Sequence, residues 1–278
     1  MGKSQRELRN RIKSVESTMH ITRAMELVSS SKFKRAFDSF ELGRSYYDLL
    51  NETFEDISVY AKDSPFFREY ASTKKTYIVI AGDRGLVGGL NNNLYKLVEE
   101  NGNGSEKTEI IPFGKKATEH YRHDERFCLK DGFEICEKIS TANVSELSSE
   151  LTRRFISGET HEVFVVYTKY VNMMSQEAVC LKLFPIVPSG SEKKASQMLF
   201  EPSAEGVLAK AVPEYISGII YGALMESIVS ENAARRMAMD SATKNAGDII
   251  DSLTLEYNRA RQSAITQEIT EIVAGSEK

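Results

Sequence analysis

The first 64 residues follow the repeat of a helix that packs against another helix. From Leu8 onward, residues at alternating steps of four and three are mostly apolar, eleven of fifteen, and only two glycines precede Pro65. This spacing is typical of a coiled-coil seam and predicts one helix about 80 Å long over residues 4–58. The seam positions are Leu8, Ile12, Val15, Met19, Thr22, Glu26, Ser29, Phe33, Ala36, Phe40, Gly43, Tyr47, Leu50, Phe54 and Ile57.

The C-terminal segment repeats the same spacing. No proline lies between Pro213 and the C-terminus, and small residues stand at several seam positions, where two backbones can approach closely. The pattern predicts a second helix, about 90 Å long, with a break at Pro213 before it. Its seam positions are Tyr215, Gly218, Gly222, Met225, Val229, Asn232, Arg236, Met239, Thr243, Ala246, Ile250, Leu253, Tyr257, Ala260 and Ala264.

The two seams predict an antiparallel pair within one chain. If facing residues of the two helices have numbers that add up to 261 or 262, apolar seam positions face apolar ones and polar positions face polar ones. Glu26 then lies opposite Arg236, and Ser29 opposite Asn232. Paired polar layers avoid unsatisfied buried groups and can fix a register. The same register leaves the helix beyond Gln262 without an intramolecular partner.

Between the two helices the pattern changes to short β-rich runs separated by helical stretches. The strands are predicted at 76–81, 109–113, 162–167 and 179–184, and the helices near 92–100, 115–122 and 144–157. Alternation of strand and helix favours a layered α/β domain with parallel strands. Residues 101–106 and 189–194 are rich in Gly, Ser and charged residues and are predicted to be exposed loops.

The predicted fold class is therefore α/β, with a long antiparallel coiled coil of the N- and C-terminal helices plus a small Rossmann-like α/β domain. The predicted boundaries are 1–60 for the N-terminal coiled-coil helix, 61–203 for the α/β domain and 204–278 for the C-terminal coiled-coil helix. No run of about 18 apolar residues occurs, so the sequence predicts no membrane span.

Charge is unevenly distributed along the chain, whose net charge is -4. Residues 1–35 carry a net +6, with nine basic and three acidic residues, whereas residues 36–60 carry a net -5. The basic end lacks the interleaved aromatic residues expected of a nucleic-acid surface, so no nucleic-acid partner is predicted. Two readings stay open, a solvated helical face and a docking surface for an acidic protein.

The motifs of common active sites are absent from the sequence. The glycine-rich segment 82–91 (GDRGLVGGLN) follows a predicted strand, but it matches neither the Walker pattern nor the dinucleotide fingerprint. We interpret its glycines as a tight turn that passes beneath a helix. The three cysteines have no CxxC spacing, and no second cluster of metal ligands accompanies His120 and His123. The sequence therefore predicts neither catalysis nor a metal site on this chain.

Apolar residues also leave the seam at both ends of the predicted coiled coil. Around the three polar seam positions of the first helix they are Ile21, Met25, Leu27 and Val28, and near the C-terminus they are Ile265, Ile269 and Ile272. A helix that is apolar on several faces is buried on several sides. Either these residues pack in the chain's own core, or the coiled coil enters a cavity formed by another protein.

Three segments closely resemble the gamma subunits of F-type ATP synthases. They are 12–31 (IKSVESTMHITRAMELVSSS), 81–94 (AGDRGLVGGLNNNL) and 257–275 (YNRARQSAITQEITEIVAG). The resemblance implies a non-catalytic rotor that couples ion-driven rotation of a membrane ring to ATP synthesis or hydrolysis on beta subunits. It implies as partners the alpha and beta subunits, the epsilon subunit and the membrane c-ring. It implies no cofactor on this chain and Mg-ATP or ADP on partner subunits.

The resemblance also implies roles for individual residues. Arg23 and Met25 match the stretch that meets acidic loops of beta. Residues of the C-terminal motif match the upper axle, which contacts the catalytic ring: Arg259, Arg261, Gln262, Thr266 and Glu268. No transit peptide precedes the match, so the expected location is the cytoplasmic side of a bacterial plasma membrane, as a peripheral subunit.

Two other classes of protein remain as alternatives. A coiled-coil tether that carries an α/β module would pair its helices between chains and form a homodimer. A nucleotide-using enzyme would bind ATP as an isolated chain.

Overall fold

A computed structural model describes residues 5–58, 60, 64–70, 74–102, 108–187, 200–201 and 203–276. The chain forms two compact units: unit 1 comprises residues 1–30 and 235–278, and unit 2 comprises residues 31–234. Two long helices contribute residues to both units, α1 (Gln5–Ser58) and α5 (Ala204–Ser276). Unit 2 also contains the whole of the sheet and three shorter helices.

The positions predicted for the α1 seam are confirmed. All fifteen are buried or partly exposed, and none of them is fully exposed. The helix ends at Ser58, and α5 begins at Ala204, so the element bounds lie near the predicted segment bounds. The predicted loop at 189–194 and most of the one at 101–106 lie outside the described residues.

The predicted helix break at Pro213 is wrong, because α5 runs through this residue. Leu208, Val212, Ile216 and Ile220 stand four residues apart and are fully buried on both sides of the proline. Burial of this stripe offsets the cost of about 3 kcal/mol for a proline inside a helix. The carbonyl of Pro213 also accepts a hydrogen bond from the hydroxyl of Ser148.

The sheet of unit 2 has five strands in the order β3-β2-β1-β4-β5. They are β1 (Lys75–Ile80), β2 (Thr108–Phe113), β3 (Phe127–Leu129), β4 (Glu162–Tyr170) and β5 (Gln176–Phe184). The four strands predicted from the sequence are confirmed, and β3 is an addition. Pairing is parallel except between β4 and β5. That pair departs from the predicted parallel order because only five residues join the two strands, which permits a hairpin but no crossover.

Helices cover both faces of this sheet. On one face, α2 (Leu90–Gly102) and α3 (Lys115–Tyr121) bury Leu94, Val98 and Tyr121. On the other face, α4 (Thr141–Ile156) packs with residues of α1 and α5 that belong to unit 2. Ser140 caps α4 through its side chain, which accepts from the Asn143 amide. The layered α/β class predicted from the sequence is therefore confirmed.

Within unit 2, α1 and α5 pack closely because glycines face large side chains. The rings of Phe54 and Tyr215 stack with centroids 3.9 Å apart. A Cβ added to Gly222 would lie 3.6 Å from the ring of Tyr47, and one added to Gly218 would overlap Leu50. The numbers of these facing residues add up to 268 or 269, so this part of the pair is antiparallel. The predicted register, with numbers adding up to 261 or 262, is therefore wrong in unit 2 by about two helical turns.

Candidate functional site

Unit 1 consists of an antiparallel helix pair. The hydroxyls of Thr22 and Thr243 lie 2.7 Å apart, and the Gln5 side chain donates to the Ala260 carbonyl at 3.4 Å. In both contacts the residue numbers add up to 265. The apolar side chains buried between these helices come from positions that the seam predicts: Leu8, Met239, Ala246 and Leu253.

The predicted register, with numbers adding up to 261 or 262, is wrong in unit 1 by about one helical turn. It would have placed Thr22 opposite Met239, whereas Thr22 meets Thr243. Among the described residues Glu26 and Arg236 form no ion pair within 4 Å. The physical reason is that seam residues recur every three or four positions on both helices. Sliding one helix by a turn therefore presents the same seam with different partners.

The other predicted polar layer bonds within its own helices and is only partly satisfied, because the buried Oδ1 of Asn232 has no hydrogen-bond partner in the described part of the chain. The Ser29 hydroxyl donates to the Met25 carbonyl at 2.8 Å, and the Asn232 amide donates to the Ile228 carbonyl at 2.8 Å. Each residue thus bonds its own helix. Both are buried, as their seam positions predict. Their role in fixing the register stays a prediction.

The C-terminal end of α5 has no helix against it in the described part of unit 1. Every residue from 261 to 275 is exposed, and we call this segment the tip. Ile265, Ile269 and Ile272 are 47%, 56% and 67% exposed and stand on one face at spacings of four and three. The prediction that the helix beyond Gln262 stands alone is confirmed for the described residues.

Polar side chains occupy the other faces of the tip. The Thr266 hydroxyl donates to the Gln262 carbonyl at 2.9 Å, within the helix. Arg259, Arg261 and Glu268 are exposed and have no ion pair or hydrogen bond to another described side chain. The five residues that the resemblance assigns to the upper axle are thus all exposed.

A second exposed surface of unit 1 lies on α1. Arg23 is exposed without a described side-chain partner, and Met25 is half-buried. Ile21, Leu27 and Val28 are 58%, 65% and 58% exposed. The interpretation of these residues as the chain's own core is therefore wrong. The alternative, a surface that another protein covers, is the one that this exposure favours.

Unit 2 has an apolar stripe that the sequence reasoning missed. Leu42, Tyr46 and Leu49 are 83%, 57% and 62% exposed and follow one another at spacings of four and three on α1. The same spacing was assigned to the adjacent seam, which includes Tyr47 and Leu50. A search for a second stripe on the helix would have found it, because both stripes have the same period.

A groove of unit 2 contains a carboxylate with a shifted pKa. The groove has a volume of about 910 Å³ and is lined by aromatic rings and by Glu226. Burial raises the pKa of Glu226, although its carboxylate accepts a hydrogen bond from the Tyr170 amide at 3.1 Å. The protonated form is thus favoured relative to an exposed glutamate.

The glycine-rich segment makes the tight turn that its composition predicts. A Cβ added to Gly82 would lie 2.9 Å from a carboxylate oxygen of Glu231 on α5 and 3.2 Å from the Arg84 carbonyl, so glycine permits this close approach without displacing either group. The Arg84 amide donates to the same carboxylate at 3.3 Å. Leu86 and Gly88 have positive φ angles of 63° and 61°. The turn therefore passes beneath α5 as interpreted.

Two further properties bear on what the chain binds. Among the described residues, no three His, Cys, Asp or Glu side chains are grouped so that they could hold a metal ion. One stretch of α5 is apolar enough to cross a membrane by length and composition, but 44% of it is buried inside the protein.

One protein family and several of its members are similar to this chain over almost its whole length. The family model described as ATP synthase matches residues 4–278. The gamma chain of the sodium-ion-specific ATP synthase of Acetobacterium woodii is 38% identical, and the alignment covers 100% of this chain and 99% of that one. The ATP synthase gamma chain of Ruminococcus albus is 40% identical, with coverages of 98% and 97%.

Solved structures show the same fold at low sequence identity. A chain of the Euglena gracilis mitochondrial ATP synthase, from a structure of OSCP, F1 and c-ring, has a TM-score of 0.71 at 18% identity. That match covers 98% of this chain and 93% of the other. A chain of the central stalk and c-ring of the Tetrahymena thermophila enzyme has a TM-score of 0.62 at 18% identity, with coverages of 80% and 99%.

Proposed function

The chain belongs to the ATP synthase family, as a relative of its gamma chains, and we propose that it is the central rotor shaft of an F-type ATP synthase. It couples ion-driven rotation of the membrane ring to ATP synthesis or hydrolysis on the beta subunits. With the epsilon subunit it forms the central stalk. The observation that carries this proposal in the structure is the tip, a run of exposed helix with three isoleucines on one face.

The exposed surfaces of unit 1 fit a shaft inside a ring. Apolar side chains that project from a helix pair gain free energy when other subunits remove them from water, by roughly 25 cal/mol for each Å² covered. The faces of the pair differ, because Ile21, Leu27 and Val28 are exposed on α1 while Leu8 and Leu253 are buried between the helices. As such a shaft turns, each beta subunit meets a different face, and its preferred conformation shifts accordingly.

Individual residues take the following roles in this proposal. Arg23 and Met25 contact acidic loops of beta, which pair with the basic end of the chain. The tip contacts the alpha and beta subunits through Ile265, Ile269 and Ile272 and through its polar residues Arg261, Gln262, Thr266 and Glu268. Arg259, which precedes the tip, contacts the same subunits. The stripe of Leu42, Tyr46 and Leu49 is the surface of unit 2 left for a further subunit, the epsilon subunit or the c-ring.

Catalysis in this proposal belongs to other subunits. The glycine-rich turn lacks the Lys-Ser or Lys-Thr of a phosphate loop, and its Gly82 serves the close approach to Glu231. Mg-ATP and ADP are bound by partner subunits, and this chain carries no cofactor of its own. The subunit is peripheral to the membrane, on the cytoplasmic side in a bacterial cell.

The test of this function is the coupling ratio of the assembled complex. Met25→Lys places a charge at a half-buried apolar position of the moving interface, where desolvation penalises it. We expect fewer ions pumped per ATP hydrolysed in reconstituted vesicles, with folding of the chain unchanged. Ser149→Lys adds the same charge to an exposed position of α4 and should leave the ratio at its wild-type value. An unchanged ratio for Met25→Lys would remove this stretch from the mechanism.

The two alternative functions make different predictions. A tether that dimerises through its helices needs a seam free for another chain, whereas Leu8 and Leu253 are buried within one chain here. Sedimentation over a dilution series should therefore give a monomer for the isolated subunit. An enzyme that uses nucleotide would bind ATP as an isolated chain, and calorimetry with the pure subunit should detect no such binding.

A further inference from the structure

A small polar cavity of unit 2 is lined by β4, one of the two strands that flank the switch point of the sheet. In the sheet, β1 has β2 on one side and β4 on the other, so the connections after β1 and β4 lead away in opposite directions. Ligands of open α/β sheets bind at such switch points, outside the carboxyl ends of the strands. The cavity has a volume of about 260 Å³ and is lined by residues from the start of α2, from the end of β4 and from the start of β5.

The start of α2 borders this cavity and carries backbone amides without a partner in the described part of the chain. The Asn93 amide donates to the Gly89 carbonyl at 3.0 Å, which makes Gly89 the residue that precedes the helix. The amides of Gly89, Asn91 and Asn92 have no partner in the described part of the chain. Gly89 and Leu90 line the cavity, so the positive end of the helix dipole is directed towards it.

A buried hydroxyl supplies an independent observation. Thr168 of β4 lines the cavity, is 2% exposed, and its Oγ1 has no hydrogen-bond partner. Two hydrogen bonds from α5 fix the backbone of Thr168. The Thr168 amide donates to the Ser227 hydroxyl at 3.1 Å, and the Thr168 carbonyl accepts from the Ser230 hydroxyl at 3.0 Å. A buried polar group without a partner is costly, so such a group in a fixed position indicates a missing ligand.

The remaining lining residues define the chemistry of that ligand. Asn93, Ser175 and Gln176 are polar, and no acidic side chain is present among the described residues that line the cavity. The Gln176 amide donates to the carbonyls of Asn172 and Met173, which fixes this side chain at the rim. Hydroxyl and amide donors around a helix N-terminus are the groups that bind phosphate-like oxyanions.

We propose that this cavity binds a small oxyanion of the phosphate class, held by the first-turn amides of α2 and by the Thr168 hydroxyl. Because no lysine or arginine lines the cavity in the described chain, binding relies on the helix dipole and on neutral donors. Both contributions are modest, and the expected dissociation constant is in the millimolar range. The site lies within unit 2 and does not depend on the proposed rotor function.

The proposal is tested by titrating the isotope-labelled full chain with sodium phosphate against sodium chloride at equal ionic strength. We expect saturable NMR shifts at the amides of Gly89, Asn91 and Asn92 with phosphate only. Thr168→Val keeps the shape and removes the hydroxyl, and binding should weaken about fivefold, the factor for one lost hydrogen bond. Thr152→Val, which removes a buried hydroxyl of α4 away from the cavity, should bind as the wild type does.

A second variant separates loss of binding from loss of folding. Gly89→Asp places a carboxylate where it can accept from the first-turn amides of α2, so it should raise the melting temperature and abolish phosphate binding. Gly89→Ala is its control, because an added Cβ meets nothing closer than 3.9 Å. Equal shifts with chloride, shifts that do not saturate, or unchanged binding by Thr168→Val or Gly89→Asp would overturn the proposal.

Discussion

Isoleucines of the same helix, α5, differ in burial between the two units. In unit 2, Ile216 and Ile220 of α5 are fully buried, whereas in unit 1 Ile269 and Ile272 of α5 are 56% and 67% exposed. Helix propensity and hydrophobicity are identical at these positions, so the difference lies only in what packs against the helix. Unit 2 buries Ile216 and Ile220 in its own core and leaves the stripe of Leu42, Tyr46 and Leu49 exposed, whereas unit 1 leaves Ile269 and Ile272 uncovered.

This difference separates residues that fold the chain from residues that serve its assembly. Apolar surface that a chain buries itself contributes to its stability, and apolar surface that it leaves in water marks a binding region. Unit 1 retains a buried seam of Leu8, Met239 and Leu253, which is enough to pair two helices. The exposed apolar residues of unit 1 are left for contact with other subunits.

The largest expected effect tests the pairing inside unit 1. In a chain without its native cysteines, Thr22→Cys with Thr243→Cys should form an intramolecular disulfide, because the two hydroxyls are 2.7 Å apart. Closing so long a loop should stabilise the oxidised form by about 5 kcal/mol relative to the reduced form, measured by denaturant unfolding. Thr22→Cys with Met239→Cys tests the register one turn away, and a higher yield for that pair would contradict the structure.

The next effect compares the two units directly. Ile216→Ala should lower the free energy of unfolding of the isolated chain by about 2–5 kcal/mol, since it opens a cavity in the core of unit 2. Ile269→Ala should change it by less than about 0.5 kcal/mol, because the side chain is exposed. In the assembled complex Ile269→Ala should instead lower the ATP hydrolysis rate. Similar losses of stability for both variants would contradict the claim that Ile216 stabilises the fold and Ile269 does not.

Alanine substitutions at two glycines of α5 should change the stability of the chain by smaller amounts and in opposite directions. In unit 2, Gly218→Ala should destabilise the chain by about 1–3 kcal/mol, since its Cβ would overlap Leu50. In unit 1, Gly247→Ala meets nothing within 4 Å and should stabilise the helix by about 0.5–1 kcal/mol. Thermal unfolding of both variants measures the two effects. Stabilisation by Gly218→Ala would show that the helices of unit 2 are less closely packed than described.

The smallest effect is a dependence on pH in unit 2. Burial raises the pKa of Glu226, so the folded chain keeps this proton at a pH where the unfolded chain has released it. Stability therefore falls as pH rises from about 4.3, the carboxyl pKa of the unfolded chain, through the folded pKa. Glu226→Gln removes this loss, and its stability relative to the wild type should rise with pH over that window.

A second carboxylate of unit 2 should show the opposite trend. Burial opposes ionisation of Glu109, but hydrogen bonds from Arg154 and Lys130 outweigh it and lower the pKa of this carboxyl. The wild type is then stabilised above the carboxyl pKa of the unfolded chain and loses this stability as pH falls. Glu109→Gln should therefore lose stability relative to the wild type as pH rises. The same sign for both variants would contradict the assigned causes.

Periodicity predicted which faces of the long helices are buried, and it could not predict which residues meet. All α1 seam positions are buried or partly exposed, yet Thr22 faces Thr243 and not Met239. A seam that repeats every three or four residues looks the same after a shift of one turn. The contacts that distinguish the registers, such as Tyr47 on Gly222, depend on shape and are not encoded in the pattern of polar and apolar residues.

In the α/β domain the longer strands were predictable and the short one was not. Strand β3 has three residues, Phe127–Leu129, too few for an alternating pattern to stand out. The helix through Pro213 is not predictable from the sequence pattern, because the local preference of proline disfavours a helix and the burial of the stripe around it depends on the rest of the fold. The Thr168 hydroxyl was likewise invisible in the sequence, since only packing shows that it has no partner.

Amide hydrogen exchange of the chain, alone and assembled with alpha and beta subunits, tests the central claim most directly. In the isolated chain, the tip should exchange rapidly, while strands β1 and β4 of unit 2 should be protected. On assembly, protection should appear at Ile265, Ile269 and Ile272 and on α1 around Arg23, with little change in β1 and β4. A tip that exchanges equally fast in the assembled complex would contradict the account.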